Sequence, residues 1–428
     1  MPILSSLLQQ SNLLQQWRQD WDARAGTERR LRVRWVLNAD AEPLANVELT
    51  EFNGQIVDLH ERSSADQKDV LPAALIPPLV NAHTHLEFSS LPQPLKPSQP
   101  FPAWIQSVMH WRRTSGDIAA QSIASGLKES ARSAVRLIGE ISTDSDASMN
   151  HAPQINVIQF REVIGLRPER IDQQLQIAGD HLNRPNVSGV IRALSPHAPY
   201  SVHPDLLAAV VSLSVQHQVP VAMHLAETLD ELELLHTGGG RFRDFLKELG
   251  LFDESTFPGG RTILSQLQQL AKAPKALAVH GNYFSAEDIQ FLCQHSNITT
   301  VYCPRTHHFF GHTEHPLRQL LAAGCRVILG TDSRASNPDL DIWQDLQHVA
   351  NAFPELSPGD LMAMATTHSA EALNVDAKPF QIRQGNDFFP GFLVFDPSLS
   401  SVSQIMRHEQ TKAFVARQTE ASARFILP

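Results

Sequence analysis

Apolar residues follow two different patterns along the chain, and the change between them separates two kinds of predicted structure. Residues 31–70 hold short segments of alternating apolar and polar positions, which are separated by Asn, Asp and Gly residues. This pattern predicts strands of a small antiparallel sheet. From residue 75 onward, runs of consecutive apolar residues alternate with longer segments of helical period. Such runs are typical of parallel strands covered on both faces. The second part of the chain is therefore predicted to be α/β.

The α/β part contains eight strand-then-helix units, and the first begins with the apolar run at residues 75–80. Eight units over roughly 300 residues predict a (β/α)8 barrel of the TIM type. A doubly wound sheet is the alternative, but it would not gather the ends of strands one, five, six and eight around one point. The seven later strands are predicted within residues 134–143, 155–166, 188–201, 220–228, 276–284, 298–308 and 325–333.

The two ends of the chain are predicted to lie outside the barrel. Residues 4–21 place Leu and Trp at helical spacing, which predicts an amphipathic helix. The tail returns to short strands that are expected to complete the N-terminal sheet. We therefore predict two domains: a barrel over residues 75–385, and a smaller domain made of residues 1–74, with the helix, and residues 386–428.

Composition narrows the class of protein. A net charge of −10 disfavours a nucleic-acid surface, which is ordinarily basic. Three widely spaced cysteines indicate no disulfide framework, and no apolar segment reaches the length of a membrane span. The first residues lack the basic and apolar regions of a secretory signal. We expect a cytoplasmic protein that acts on a small molecule, contacts neither nucleic acid nor membrane, and could form a homodimer through its N-terminal helix.

Side chains that can bind metal or move protons stand where four predicted strands end. His83 and His85 lie two apart at the end of the first strand, so both project to one side of it. Barrel enzymes place their chemistry at this edge, and two imidazoles aimed at one point make half of a metal site. Singly, such a residue is more often an ordinary hydrogen-bonded group than a ligand. The further members of the predicted site are His224, Glu227, His280 and Asp332.

The succession H-x-H, H-x-x-E, H and T-D-S resembles the amidohydrolase superfamily, in its deaminase and chlorohydrolase branch, over about residues 47–395. The resemblance implies a (β/α)8 barrel flanked by a small β-sandwich domain built from both termini. It also implies one divalent metal ion, with zinc first and iron or manganese as alternatives. Binuclear relatives carry a bridging lysine at the end of the fourth strand, where this chain has none. The implied metal ligands are His83, His85, His224 and Asp332.

The implied catalytic roles follow from the same resemblance. The metal would lower the pKa of its bound water from about 15.7 to about 7 and so supply hydroxide at neutral pH. Glu227 would carry a proton from that water to a ring nitrogen and then to the leaving ammonia. His280 would orient the hydroxide, and Asp332 would accept a proton as well as bind the metal. His197 is expected to contact a purine ring, and the alternative is a strand-end histidine bonded to backbone.

The segment after the first strand narrows the substrate. HTHLEFS followed by FPAWIQSVMHWRR is similar to the aminodeoxyfutalosine deaminases of the bacterial menaquinone pathway. The resemblance implies a contact from Glu87 to ribose hydroxyls, with a helix cap as the alternative role. Trp104, Arg161 and Arg113 are candidates for the benzoate end, although Trp104 could be core packing and Arg113 is expected on a solvated helix face. Ser333 is a further candidate for substrate binding.

The leading hypothesis is mononuclear, metal-dependent hydrolytic deamination of an adenine-containing nucleoside, with 6-aminodeoxyfutalosine first. S-adenosylhomocysteine, methylthioadenosine and adenosine are the next candidate substrates. The further alternatives are a guanine or triazine deaminase, or a chlorohydrolase, with the same metal site and acid–base groups. A metal-free binding protein on this fold is the alternative from another class, which the retained ligand set disfavours. His307, His308 and His312 depart from the family's C-P-x-S-N pattern, and their place in the pocket or in a surface loop is left open.

Overall fold

The structure is a computed structural model that describes residues 26–63, 70–115, 118–144, 155–185, 187–388, 391–395 and 398–414. The helix predicted at residues 4–21 lies outside these ranges. Within them the chain forms two β-sheets, one of six strands and one of eight. No helix in the described part of the chain is long and apolar enough to cross a membrane.

The smaller sheet draws its strands from both ends of the chain. In chain order, the strands of the two sheets are β1 (Arg29–Val36), β2 (Leu44–Phe52), β3 (Gln55–Glu61), β4 (Leu71–Ile76), β5 (Leu79–Thr84), β6 (Val135–Ser142), β7 (Asn156–Val163), β8 (Val190–Pro196), β9 (Val221–Leu225), β10 (Ala276–His280), β11 (Ile298–Tyr302), β12 (Val327–Leu329), β13 (Gly391–Val394) and β14 (Lys412–Phe414). The smaller sheet has the order β14-β13-β4-β1-β2-β3. Among its described strand pairs, β1–β4 is parallel and the others are antiparallel. The predicted sheet with strands from both termini is therefore confirmed, and the described strands form it as one six-stranded sheet.

The larger sheet is the predicted barrel. Strands β5 to β12 lie side by side in sequence order, and each described pairing is parallel. The two ends of the sheet approach each other, because the Asp332 N–H donates to the His83 carbonyl at 3.0 Å. The sheet is thus nearly closed, and the (β/α)8 prediction is confirmed.

Helices pack on the outer faces of the barrel strands in one large apolar cluster, and the inner faces form a second cluster. The inner cluster includes Val80, Phe160, Leu277 and Ile328, contributed by four different strands. In chain order, the helices are α1 (Phe101–Thr114), α2 (Ala119–Arg132), α3 (Ile171–Leu182), α4 (Pro204–His217), α5 (Leu229–Thr237), α6 (Gly240–Glu248), α7 (Ile263–Leu270), α8 (Ala286–Gln294), α9 (Pro304–Phe310), α10 (Leu317–Ala322), α11 (Ile342–Ala352), α12 (Pro358–Met364), α13 (Thr367–Ala372) and α14 (Val402–Arg407), with 3-10 turns at Leu86–Phe88, Pro168–Arg170 and Lys378–Phe380.

The strand predicted at residues 75–80 is interrupted. Strand β4 belongs to the small sheet and β5 to the barrel, and Pro77 and Pro78 stand between them. Proline lacks the N–H that a strand ladder uses, so the chain leaves one sheet and enters the other at this pair. The domain limits drawn from the sequence, between residues 74 and 75 and between residues 385 and 386, stay a prediction.

Candidate active site

Side chains from four strand ends meet at the C-terminal edge of the barrel. They are His83 and His85 at the end of β5, His224 in β9, His280 at the end of β10 and Asp332 after β12. All are buried. The Nε2 atoms of His83 and His85 each lie 3.6 Å from Asp332 Oδ1. His85 Nε2 also lies 3.3 Å from His224 Nε2, and His83 and His224 form a second close group with His280.

Unpaired nitrogen atoms at this point fit a metal ion. Nε2 of His83 lies beside Asp332 and Nε2 of His280 beside Glu227, and both nitrogens are buried without a hydrogen-bond partner. A buried polar atom without a partner costs free energy, so these atoms indicate a ligand that satisfies them. Several imidazoles and one carboxylate suit zinc, iron or manganese. The residues that would hold the ion are His83, His85, His224 and Asp332, with His280 beside them.

The backbone bends sharply where the strands enter the site. Ala226, His280 and Asp332 have φ angles of 52°, 75° and 59°, in the left-handed region that residues other than glycine rarely adopt. Each lies at the end of a barrel strand or within three residues of it. Such backbone strain persists only where surrounding contacts enforce it, and it is typical of functional sites. The strained φ angles therefore indicate that this edge of the barrel is a functional site.

Asp332 is oriented by its neighbours. Ser336 Oγ donates to Asp332 Oδ2 at 2.8 Å, which leaves Oδ1 facing His83 and His85. Thr84 Oγ1 donates to the Asp332 carbonyl at 3.0 Å. Burial alone would raise the pKa of Asp332, but the imidazoles that face its carboxylate, His83 first and then His85 and His280, hold it well below its usual range. The carboxylate therefore stays ionised and can bind a cation.

Ser336→Ala should weaken metal binding, because Asp332 then loses the group that sets its orientation. Removing a residue that supports a ligand typically costs roughly 10–100-fold in metal affinity, and we expect a loss of that size. Titration of zinc into the metal-depleted variant measures it. Ser369→Ala is the matched control, since Ser369 is also fully buried and donates to the Met364 carbonyl at 2.6 Å. Equal zinc affinity in Ser336→Ala and the wild type would contradict the orienting role.

Glu227 stands beside the histidines with its backbone held in place. Its Oε1 lies 3.6 Å from His280 Nε2. Its N–H donates to Glu231 Oε2 at 2.9 Å, and Asn282 Nδ2 donates to its carbonyl at 3.0 Å. Burial, followed by the negative charges of Asp332 and Glu231, raises the pKa of Glu227 well above its usual range. The carboxyl can therefore hold a proton near neutral pH, as general acid–base chemistry requires.

His197 follows β8 and lines the same space. Its carbonyl accepts a hydrogen bond from His224 Nδ1 at 3.0 Å, which turns His224 Nε2 toward the other ligands. Its own Nδ1 lies 2.6 Å from Ser201 Oγ. Burial, followed by the positive charge of Arg112, lowers the pKa of His197 to about 3, so the ring is neutral at physiological pH. A neutral imidazole can offer a hydrogen bond to a ligand ring without adding charge.

A cavity of about 560 Å³ opens from the histidines toward the surface. Its inner end includes Glu227, and its wall includes Trp104 and Ser333. Trp104 Nε1 donates to the Ala335 carbonyl at 3.2 Å, which fixes the indole. An apolar cavity with few convergent polar groups is typical of a small-molecule site. Its apolar wall residues include Phe88, Phe101, Ile105, Val108, Phe245 and Leu246, and its cations are Arg112, Arg167 and Arg170.

Comparison with protein families agrees with this geometry. Residues 74–388, which include every predicted metal ligand, match the model described as the amidohydrolase family. The chain belongs to the amidohydrolase family. It is a metal-dependent hydrolase that acts on C–N bonds.

Several relatives of this amidohydrolase are deaminases. The 5-methylthioadenosine/S-adenosylhomocysteine deaminase of Pyrococcus furiosus is 29% identical over 337 residues, which cover 73% of this chain and 74% of the relative. The aminodeoxyfutalosine deaminase of Deinococcus radiodurans is 29% identical over 333 residues, or 75% of this chain and 78% of the relative. The crystal structure of Helicobacter pylori aminofutalosine deaminase in complex with methylthio-coformycin has a TM-score of 0.74 at 22% identity, and covers 93% of this chain and 100% of that one. The structural likeness confirms the fold.

The amidohydrolase has an arginine in its cavity that sequence reasoning missed. Arg112 lines the cavity, and its Nη2 lies 2.6 Å from Glu87 Oε1 and 3.8 Å from Glu162 Oε2. It lies two turns after Trp104 on the same face of α1, so the helical period counted from Trp104 could have indicated it. Glu87 is not among the cavity-lining residues, because its carboxylate is turned to Arg112. The carboxylate of Glu87 therefore meets Arg112 in this structure, and its contact with substrate stays a prediction.

Arg161 does not line the cavity, and its role in substrate binding stays a prediction. Side chains alternate along β7, where Phe160 lies inside the barrel and Glu162 lines the cavity. Arg161 between them faces the helix layer, and its Nη1 lies 3.5 Å from the Ser142 carbonyl. Glu162 therefore takes the cavity position that the sequence assigned to its neighbour.

The extra histidines after β11 also lie off the cavity wall. His307 is buried, and His308 is exposed. His312 Nδ1 lies 3.0 Å from the Tyr283 hydroxyl.

Arg113 is exposed, as expected of a solvated helix face.

Arg112→Met should lower kcat/KM, because it removes a cation from the cavity wall while it keeps a long side chain there. A hydrogen bond to a charged group contributes about 1.5–3 kcal/mol, which corresponds to a loss of about 10–100-fold. Arg113→Met is the matched control, since this neighbour in α1 is exposed. Steady-state kinetics of both variants measures the effect. Unchanged kcat/KM in Arg112→Met, or an equal loss in Arg113→Met, would remove Arg112 from substrate recognition.

Proposed function

We propose that this amidohydrolase deaminates an adenine-containing nucleoside by hydrolysis, with 6-aminodeoxyfutalosine of the menaquinone pathway as the first candidate substrate. The observation that carries the proposal is the position of Glu227, buried beside the histidine and aspartate cluster at the inner end of a largely apolar cavity. The relatives named for methylthioadenosine, S-adenosylhomocysteine and aminodeoxyfutalosine support it. An apolar cavity that ends in acid–base groups suits a purine whose exocyclic amine is replaced by oxygen.

The residues of the cavity divide the work of such a reaction. A bound divalent ion supplies Lewis acidity at the inner end. Glu227 takes the first proton from the attacking water and delivers it to a purine ring nitrogen, which keeps it in the product. His280, 3.6 Å from Glu227, holds the water in line. Asp332 accepts the second proton of the water, and this proton passes to the amine, which leaves as ammonia. His197 offers its neutral imidazole to the ring.

Among the candidate ions we propose zinc. Imidazole nitrogens dominate the donor set, with one carboxylate, and zinc accepts this mixture while it leaves a position for water. Iron and manganese accept the same donors and are the alternatives. Elemental analysis of the protein purified without added metal tests the proposal. One iron or manganese ion per chain, in place of zinc, would overturn it.

The outer cavity favours a nucleoside with a large 5′ substituent. Apolar side chains from α1 and α6, among them Val108 and Phe245, line the space beyond the acid–base groups. Arg167 and Arg170 stand in the same wall, where they could meet an anionic group. A benzoate meets both conditions, because it has an apolar ring and a terminal carboxylate. S-adenosylhomocysteine has a charged end that could meet the arginines, and methylthioadenosine has an apolar substituent that suits the apolar wall.

Ammonia release by metal-loaded protein, measured across a panel of nucleosides, tests the substrate. The panel holds aminodeoxyfutalosine, methylthioadenosine, S-adenosylhomocysteine and adenosine. We expect aminodeoxyfutalosine to have the highest kcat/KM. Turnover of methylthioadenosine or S-adenosylhomocysteine alone would replace it by a sulfur nucleoside. No turnover of any adenine nucleoside would overturn the proposal, and guanine, triazines and chlorinated rings would then be tested.

A further inference from the structure

The carbonyl group of His280 has an unusual partner on the side away from the cavity. His315 lies just before α10, is 2% exposed, and places its Nε2 2.9 Å from the His280 carbonyl oxygen. We propose that His315 is a positioning residue, which holds the bent backbone at His280 and so fixes the His280 imidazole against Glu227. The kinetic part of this inference rests on the proposed function, because that function assigns His280 to the attacking water.

The tautomer of His315 follows from its surroundings. A carbonyl oxygen only accepts hydrogen bonds, so Nε2 of His315 carries the proton that it donates to His280. Nδ1 of His315 is buried without a hydrogen-bond partner. The ring stacks on Tyr302 with centroids 3.9 Å apart and an interplanar angle of 22°, and meets the edge of His307 at 5.9 Å. These ring contacts leave the imidazole little room to turn away from the carbonyl.

His280 needs such a partner because the strand ends there in an uncommon conformation. His280 has φ of 75° and Gly281 has φ of 64°, so two successive residues are left-handed. A Cβ on Gly281 would lie 2.4 Å from the Phe284 ring, which keeps this turn tight. The bend directs the His280 carbonyl toward His315 and its imidazole toward Glu227, 3.6 Å away. The hydrogen bond from His315 to the His280 carbonyl therefore sets the direction in which the His280 imidazole points.

His315→Phe tests the proposal, because phenylalanine keeps a ring against Tyr302 and removes the donor. A displacement of about 1 Å at a reacting group can cost about 10²-fold, so we expect kcat to fall about 10–100-fold while KM stays within about 2-fold. His315→Gln, whose amide can donate to the same carbonyl, should recover most of that loss. Unchanged kcat in His315→Phe, or no recovery in His315→Gln, would overturn the proposal.

His181→Phe is the matched control for a purely structural effect. His181 is also fully buried, and its Nε2 lies 3.1 Å from the carbonyl of Gln159, in the middle of β7. Both variants lose one buried histidine-to-carbonyl hydrogen bond and should lose thermal stability. The fall in kcat is expected only in His315→Phe. An equal fall in kcat for His181→Phe would assign the effect of His315 to stability and contradict positioning.

Crystal structures of the wild-type holoenzyme and of His315→Phe give a readout that needs no activity. We expect the variant to show a changed His280 φ and a His280 imidazole moved from Glu227. A His280 conformation and Glu227 distance equal to those of the wild type would overturn the proposal. A wild type without deaminase activity would contradict the proposed function alone, and the crystal structures would still decide the role of His315.

Discussion

Glu227→Gln is expected to leave the metal in place and to lower kcat by about 10²–10⁴-fold, the range that general acid–base catalysis contributes. Glutamine has the size of glutamate and can accept the hydrogen bonds around the site, but its amide cannot carry a proton. Glu227 Oε1 lies 3.6 Å from His280 Nε2, and Glu227 belongs to neither group of metal-binding side chains, so the ligand cluster should persist. Metal content by elemental analysis and ammonia release by steady-state kinetics give the two quantities on one sample.

Glu233→Gln is the control for this change, because Glu233 is exposed on α5, a short distance along the chain. It should retain wild-type metal content and kcat. Glu227→Gln with substantial turnover would exclude Glu227 as the proton carrier. Loss of metal from Glu227→Gln would instead show that the carboxylate serves the metal site, which contradicts the division of roles proposed above.

Asp332→Ala is expected to remove metal and activity together. The Asp332 carboxylate is the one anionic group in the cluster of buried ligands, with Oδ1 3.6 Å from both His83 and His85. Alanine leaves neutral imidazoles alone to hold a divalent ion. Lewis-acid assistance contributes several kcal/mol, so turnover should fall by about two to four powers of ten. Zinc titration into the metal-depleted variant and kinetics at saturating zinc measure the two losses.

Asp288→Ala controls for the removal of a buried carboxylate. Asp288 is 4% exposed and closes the capping box of α8 with Ser285, so its loss should reduce thermal stability without changing zinc affinity. A fully metallated and active Asp332→Ala would refute its assignment as a ligand. Equal loss of zinc from Asp288→Ala would attribute the effect to general destabilisation.

The sequence could predict most of this fold because each level of pattern agrees with the others. Parallel strands buried on both faces appear as continuous apolar runs, and eight such runs with helices between them are compatible with few architectures. The position of His224 at the end of PVAMH follows from the same logic, since a polar residue that ends a buried run must find a partner. Backbone periodicity and strand ends therefore indicated which side chains meet at this edge of the barrel, and the family resemblance implied which of them bind metal.

Substrate contacts were less accessible to that reasoning, because they depend on side-chain direction. Arg161 and Glu162 are neighbours in β7, and a shift of one residue decides which lines the cavity. The choice between Arg112 and Arg113 depends on the rotation of α1, which the sequence indicates only if the period is counted from Trp104. His315 could not be assigned at all, since its partner is a backbone carbonyl 35 positions away. Contacts of that kind leave no periodic pattern.

Stepwise reconstitution with metal tests the proposed chemistry most directly. Protein stripped of metal by a chelator receives zinc in measured steps, and deamination of the adenine nucleosides in the panel is followed at each step by ammonia release. The proposed mechanism predicts no turnover in the stripped protein and turnover that rises in proportion to zinc until one ion is bound per chain. Full turnover without metal, or a protein that binds one zinc ion per chain and releases ammonia from no adenine nucleoside, would contradict it.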